Sequence, residues 1–256
     1  MQQVNKDRSR RMDSFEDALR AYRPTEEVRK AAKAAITRRK GPVTDAIKAE
    51  SIVRHCDGGT AVLFATGPSL SDEVVSQVRA ACVKRKIFLF GCNDAYRMVS
   101  GLDAHYACDA KWWRIHYAKV AQQSFPLGMW TQEPHLSQGE FPLLHRIAGK
   151  AGNGLSGSQD LIHFGNNSGY QLINVAFLHG IKKMILCGYN MKVVKGKRHF
   201  FGDHPQGLNR SGNYTGFAKH FNTIKPEALG IEIINATPDT ALTAFPKMSL
   251  EDALKD

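Results

Sequence analysis

The first residues with chemical promise lie in Ala61–Leu70, Ala-Val-Leu-Phe-Ala-Thr-Gly-Pro-Ser-Leu. Thr66, Gly67, Pro68 and Ser69 break an apolar run and precede a helical pattern from Asp72 to Cys82. Glycine permits a positive φ or the close approach of a ligand, and proline at a helix start gives up only an N–H that lacks a helical partner. Ser69, with Asp72 three residues on, is the expected capping pair. A strand, a tight turn and a capped helix aim backbone N–H groups and a positive dipole end at one point, which suits a phosphate. An ordinary βα turn has the same pattern, so residues further along the chain must decide between the two.

Other small or neutral hydrogen-bonding groups recur at the ends of apolar runs. Lys86–Gly91 reads as a buried strand followed by Asn93 and Asp94. Leu102–Cys108 is a third, closed by Asp109, which caps a helix through Trp112 and Trp113 to Val120. Aromatics at such positions usually pack in the core or an interface, and Trp112, Trp113 and Tyr117 are read that way, with a sugar- or base-stacking platform as the alternative. Met129-Trp130 is a short fourth strand, and the glycine- and serine-rich stretch 149–159 reads as a mobile loop. Asn166, Asn167 and Ser168 form a polar turn before the helix Tyr170–Leu178, which His179-Gly180 ends. Gly188 and Asn190 follow the strand Lys183–Cys187. Residues 191–213, rich in Lys, Arg, His and Gly, are too long for a simple connection and read as an active-site lid. A helix from Tyr214, a strand Ile231–Asn235 ending at Thr237-Pro238, and a terminal helix capped by Ser249 complete the chain.

Alternating strands and helices require an α/β fold, a doubly wound and mostly parallel Rossmann-like sheet with right-handed crossovers. Ligands of such sheets bind outside the carboxyl ends of the strands. That rule gathers Thr66–Ser69, Asn93-Asp94, Asn166–Ser168 and Gly188–Asn190 on one rim. Neither a GxGxxG fingerprint nor a GxxxxGK[ST] loop is present, which disfavours NAD-type and P-loop chemistry.

The whole chain has 256 residues, 43% hydrophobic and 23% charged, enough for one sizeable core. Its net charge of +11 favours an acidic partner, whether a nucleotide, a nucleic acid or a membrane surface. Residues 1–50 carry 13 lysines and arginines against 8 acids, a higher density of positive charge than the remainder. Residues 1–55 therefore read as a basic helical extension, with helices at Ser14–Tyr22, from Thr25 to Lys40, and at Val43–Arg54. Residues 56–256 form the expected nucleotide-binding domain. A solvated helical face explains a run like Arg38-Arg39-Lys40 as well as a nucleic-acid arm does. No apolar run approaches a membrane span, and the polar start is no secretion signal, so a cytoplasmic protein with no membrane span is expected. The five cysteines, without a CxxC pair, read as buried thiols.

Phe64–Leu70, Gly91–Asp94, Asn167–Tyr170, Lys183–Gly188 and Ile233–Asp239 stand in an order and spacing that resemble one Rossmann-like superfamily. It holds bacterial single-domain sialyltransferases, archaeal-type 6-hydroxymethylpterin diphosphokinases, and many bacterial and bacteriophage proteins. The resemblance covers residues 60–245. It implies that Thr66, Gly67 and Ser69 line a nucleotide phosphate, and that Asn93, Asn167 and Ser168 hold ribose, base and transferred sugar; Pro68, Asp94, Asn166, Gly188 and Asn190, on the same rim, are further expected substrate contacts. The sialyltransferases use no metal. Lys192 replaces one of their tyrosines, and with Arg198 it is expected to neutralise the departing phosphate; Tyr214 is a further expected substrate contact. Their histidine base has no direct counterpart near Ser211–Asn213. His204, tuned by Asp203, is the nearest substitute, with His199 and His220 behind it.

The leading expectation is a metal-independent glycosyltransferase that takes a nucleotide-sugar and needs no further cofactor. Its acceptor is a small molecule, a glycan or a hydroxylated DNA base. A Mg²⁺-dependent diphosphotransferase of the pterin type is the first alternative, disfavoured by Asn190 where an acid is wanted. A non-catalytic nucleotide- or nucleic-acid-binding protein is the second.

Overall fold

The computed structural model describes residues 45–204, 208 and 213–255. The expected helices before residue 45 and the basic run Arg38–Lys40 lie outside the described residues.

Thr60–Phe64 forms β1, whose side chains alternate between two cores: Ala61 and Leu63 enter one, Val62 and Phe64 the other. An apolar residue at every position is the requirement of a strand covered on both faces. Helix α1, Asp72–Lys84, comes next. Its cap is Ser71 instead of Ser69: the Ser71 hydroxyl accepts from Val74 N–H, while the Ser69 hydroxyl is used elsewhere. Strand β2 spans Phe88–Cys92 and runs into a 3₁₀ turn, Asn93–Arg97. Strand β3 is Ala104–Tyr106, and α2, Ala110–Val120, is capped by Asp109 as expected. Trp112 and Trp113 are buried on α2. Strand β4 is Met129–Thr131 and β5 is Leu144–Arg146. Strands β6, Ala148–Lys150, and β7, Leu161–His163, form a separate pair. Helix α3, Ser168–Leu178, precedes β8, Lys183–Cys187. Helices α4, Tyr214–Phe221, and α5, Pro226–Leu229, lead to β9, Glu232–Asn235, and Ser249 caps α6, Leu250–Ala253.

Seven strands pair in parallel in the order β5-β4-β3-β2-β1-β8-β9. The order reverses between β1 and β8, and α3 covers the face opposite α1 and α2. Every strand of this sheet therefore ends on the same rim, and the switch point lies between Phe64 and Cys187.

Two expectations fail for identifiable reasons. The stretch 149–159 is pinned: β6 pairs with β7, and the Asn174 carboxamide holds the Ser156 backbone through both its N–H and its C=O. Residues 45–54 form no helix. Ala46 bridges Ser137, Ala49 bridges Arg146, and Ile47 and Ile52 are buried. Burial of those two isoleucines against the sheet outweighs the local helical preference.

Candidate functional site

The switch point is closed by backbone. Gly67 N–H donates to Gly188 C=O at 2.8 Å, so the loops after β1 and β8 touch directly. A Cβ on Gly67 would collide with Gly188 O and Asn190 Oδ1, which is the physical reason for glycine there. Asn190 is 1% exposed. Its Oδ1 accepts from Ser69 N–H at 3.1 Å and from Ser69 Oγ–H at 2.7 Å, and its Nδ2 donates to Pro238 C=O at 3.1 Å and Asp239 C=O at 3.2 Å. One carboxamide thus binds the loops after β1, β8 and β9 together. Gly67, Ser69 and Asn190 build the rim by facing one another. Pro68 stands half-buried between them. Gly188 is buried with φ 76° and lies against Ala65 C=O.

After β8, residues 199–204 meet the ends of β1 and β2. Val194 and Lys197 pair as a tight hairpin whose two turn residues, Lys195 and Gly196, have φ of 48° and 76°. Beyond it, Phe200 N–H donates to Thr66 C=O at 3.1 Å, and the Thr66 hydroxyl lies 3.1 Å from His199 Nδ1. The Phe201 ring lies under the Arg97 guanidinium at 5.0 Å. His204 is next, with its ring 4.6 Å from that of His199 and its Nδ1 3.8 Å from Asp94 Oδ2.

Asp94, a substrate contact by expectation, is instead fully buried. It accepts from Trp112 Nε1–H at 2.8 Å and pairs with Arg97 at 3.2 Å, with His116 Nε2 at 3.9 Å. A buried carboxylate needs such donors, and they come from the 3₁₀ turn and α2. Asp203, the expected tuning partner of His204, is exposed, and the carboxylate against the imidazole is that of Asp94. Burial lowers the pKa of His204, with Asp94 and Asp203 opposing the shift and Arg97 adding to it. Burial also pushes His199 down to about 4. At neutral pH both rings are neutral and able to accept a proton.

The remaining rim residues come from β2, β3 and α3. Asn93 has φ 48°, and its carbonyl accepts from His105 Nε2–H at 2.8 Å. Asn167 caps α3, its Oδ1 accepting from Gly169 and Tyr170 N–H. The Ser168 hydroxyl lies 3.1 Å from Cys108 Sγ at the end of β3. Asn166, exposed with φ 53°, reaches His220 Nε2 at 3.1 Å. Lys192 pairs with Asp239 beyond β9, and Tyr214 opens α4. Arg198 is exposed, and its charge acts on the Tyr214 phenol, whose pKa burial raises.

The structure thus joins Thr66 to the segment after β8 and His204 to Asp94, and sets Lys192 and Tyr214 apart beside β8 and β9. The parts played by Arg97, Trp112, His116 and Cys108 escape a reading of the sequence. For Cys108 the strand-end rule could have supplied a signal; Trp112 reads as an ordinary core residue of a helix.

No protein-family model matches the chain, and no curated protein does. Among solved structures it is similar to the MAf glycosyltransferase from Magnetospirillum magneticum AMB-1, with a TM-score of 0.52 and 14% identity. The match takes in 80% of this chain and 36% of that one, so this chain spans about a third of that protein's length. The likeness is one of fold, and it places the chain among Rossmann-like α/β proteins. Among the described residues no helix is long and apolar enough to cross a membrane.

Proposed function

We propose that this protein is a nucleotide-sugar-dependent glycosyltransferase that works without a metal ion and has His204 as its base. The observation that carries the reading is the neutral imidazole of His204 set against the buried Asp94 carboxylate at the carboxyl end of β2, beside Thr66 and His199. The fold shared with a solved glycosyltransferase supports the same reading.

The donor lies above the closed switch point, its phosphate toward Thr66 and its sugar toward Asn93 and Ser168. His204 takes the proton of an acceptor hydroxyl as that oxygen attacks the anomeric carbon. The bond from that carbon to the phosphate oxygen breaks, and its electron pair leaves with the nucleotide. Asp94 stabilises the imidazolium that forms, and the cation of Arg198 offsets the charge on the leaving phosphate. The acceptor is a glycan, a small molecule or a hydroxylated DNA base, the last compatible with the net charge of +11.

The test is a thermal-shift screen of nucleotide-sugars, and of ATP with Mg²⁺, each with and without EDTA. A ligand at 100 times its Kd adds about 2.7 kcal/mol to stability. Stabilisation by a nucleotide-sugar that EDTA leaves intact is expected. Stabilisation by ATP alone, abolished by EDTA, would replace this reading with diphosphoryl transfer.

A further inference from the structure

His116, on α2, is 7% exposed and takes no part in the chemistry described above. Its ring stacks on the Trp112 indole with centroids 4.6 Å apart, and the same indole stacks with His105 at 5.3 Å. Nδ1 of His116 lies 3.0 Å from the Tyr96 hydroxyl. Nε2 lies 3.9 Å from Asp94 Oδ1 and has no hydrogen-bond partner among the described residues.

These contacts place the protons of the ring. Burial raises the pKa of the Tyr96 phenol, with Asp94 adding to the shift and Arg97 opposing it, so the phenol keeps its proton. A buried O–H needs an acceptor, and His116 Nδ1 is within reach. Burial lowers the pKa of His116, with Asp94 opposing and Arg97, His204 and Lys119 adding to the shift, so the ring is neutral at neutral pH. A neutral imidazole that accepts at Nδ1 carries its hydrogen at Nε2, the atom next to Asp94.

Two imidazoles therefore face one buried carboxylate. His116 addresses Oδ1, which also takes Arg97 at 3.2 Å. His204 stands 3.8 Å from Oδ2, which takes the Trp112 indole at 2.8 Å. Both imidazoles sit just beyond hydrogen-bond distance, and a small shift of the carboxylate closes one contact or the other. The other charged or titratable groups acting on the pair are Lys119 on α2, Asp109 at its cap, Asp203 beside His204, and His199, ring to ring with His204.

We propose that His116, oriented by Tyr96, is a positioning residue that competes with His204 for Asp94 and so tunes the base. A donor on Oδ1 offsets part of the carboxylate charge, and less remains to favour a proton on His204. The service of His204 as a base rests on the transferase reading; the competition for Asp94 does not.

The test is ¹⁵N NMR of the histidine rings in the full chain, titrated from about pH 8 to about pH 4. In the wild type at the neutral end, His116 is expected to show a bare Nδ1 and a protonated Nε2. Tyr96→Phe removes the hydrogen offered to Nδ1 and is expected to move the ring toward the other tautomer. His116→Phe keeps the stack on Trp112 and removes the competing N–H. The titration midpoint of His204 is then expected to move to higher pH, the opposite direction from Asp94→Asn. A merely structural His116 would lower the melting temperature and leave that midpoint in place. Coupling is reciprocal, so His204→Ala is expected to raise the midpoint of His116, and it decides the matter if His116→Phe does not fold. A protonated Nδ1 on His116 in the wild type, or midpoints that rise in neither variant, overturns the proposal. Turnover by His204→Ala reports on the transferase reading and not on this coupling.

Discussion

Asp94 Oδ2 and His204 Nδ1 stand 3.8 Å apart, one on the turn after β2 and the other on the segment beyond β8. The carboxylate is held from behind by the Trp112 indole and from the side by Arg97, so it has one orientation to offer the imidazole. A base so placed gains most when it becomes charged.

Asp94→Asn keeps an acceptor for the Trp112 indole and removes the charge. The carboxylate opposes the burial that lowers the His204 pKa, so its loss takes that pKa lower still. The acidic limb of kcat/KM then moves to lower pH, and the plateau falls about tenfold or more as the base weakens. A pH–rate profile reads both. A purely structural role for Asp94 would reduce the amount of folded enzyme and leave the limb in place.

Asn190→Ala removes the carboxamide that joins three loops and strands the Pro238 and Asp239 carbonyls. A loss of about 2–4 kcal/mol in urea unfolding is expected. Gly67→Ala, which forces a methyl against Gly188 O and Asn190 Oδ1, should cost about 1–3 kcal/mol. Wild-type stability in either variant would show that the rim tolerates separation of these loops.

Acid destabilises the fold through buried histidines. Burial holds His105, His179 and His199 at about 4, against about 6.5 in the unfolded chain. Between those values the unfolded state binds more protons, so stability is complete above about pH 6.5 and declines as pH falls toward about 4. Urea midpoints measured from about pH 7.5 to about 4.5 should fall over that window. A flat profile would mean that these imidazoles are not held neutral.

Whatever a short stretch specifies by itself is legible in the sequence. The apolar runs of β1 and β8, the caps at Asp109 and Ser249, and the alternation that demands a parallel sheet all lie within a few residues. The three-residue strands β5, β6 and β7 have no such signal, because their pairing partners define them. Ser69 reads as a cap since nothing nearby reveals that its hydroxyl belongs to Asn190. Asp94 looks like a solvent-facing ligand residue for the same reason: Trp112 and His204, which bury and orient it, come from a helix and a distant loop. The strand-end rule gathers the candidate residues on a rim, while which of their groups face outward depends on contacts between loops that no single stretch encodes.

The most direct measurement is release of free nucleotide from a nucleotide-sugar in EDTA, with a hydroxylated acceptor present, by the wild type and by His204→Ala. Turnover by the wild type should resist chelation and fall by about 10²-fold or more without the imidazole. Turnover that needs Mg²⁺, or that His204→Ala leaves unchanged, would contradict a metal-independent transferase with His204 as its base.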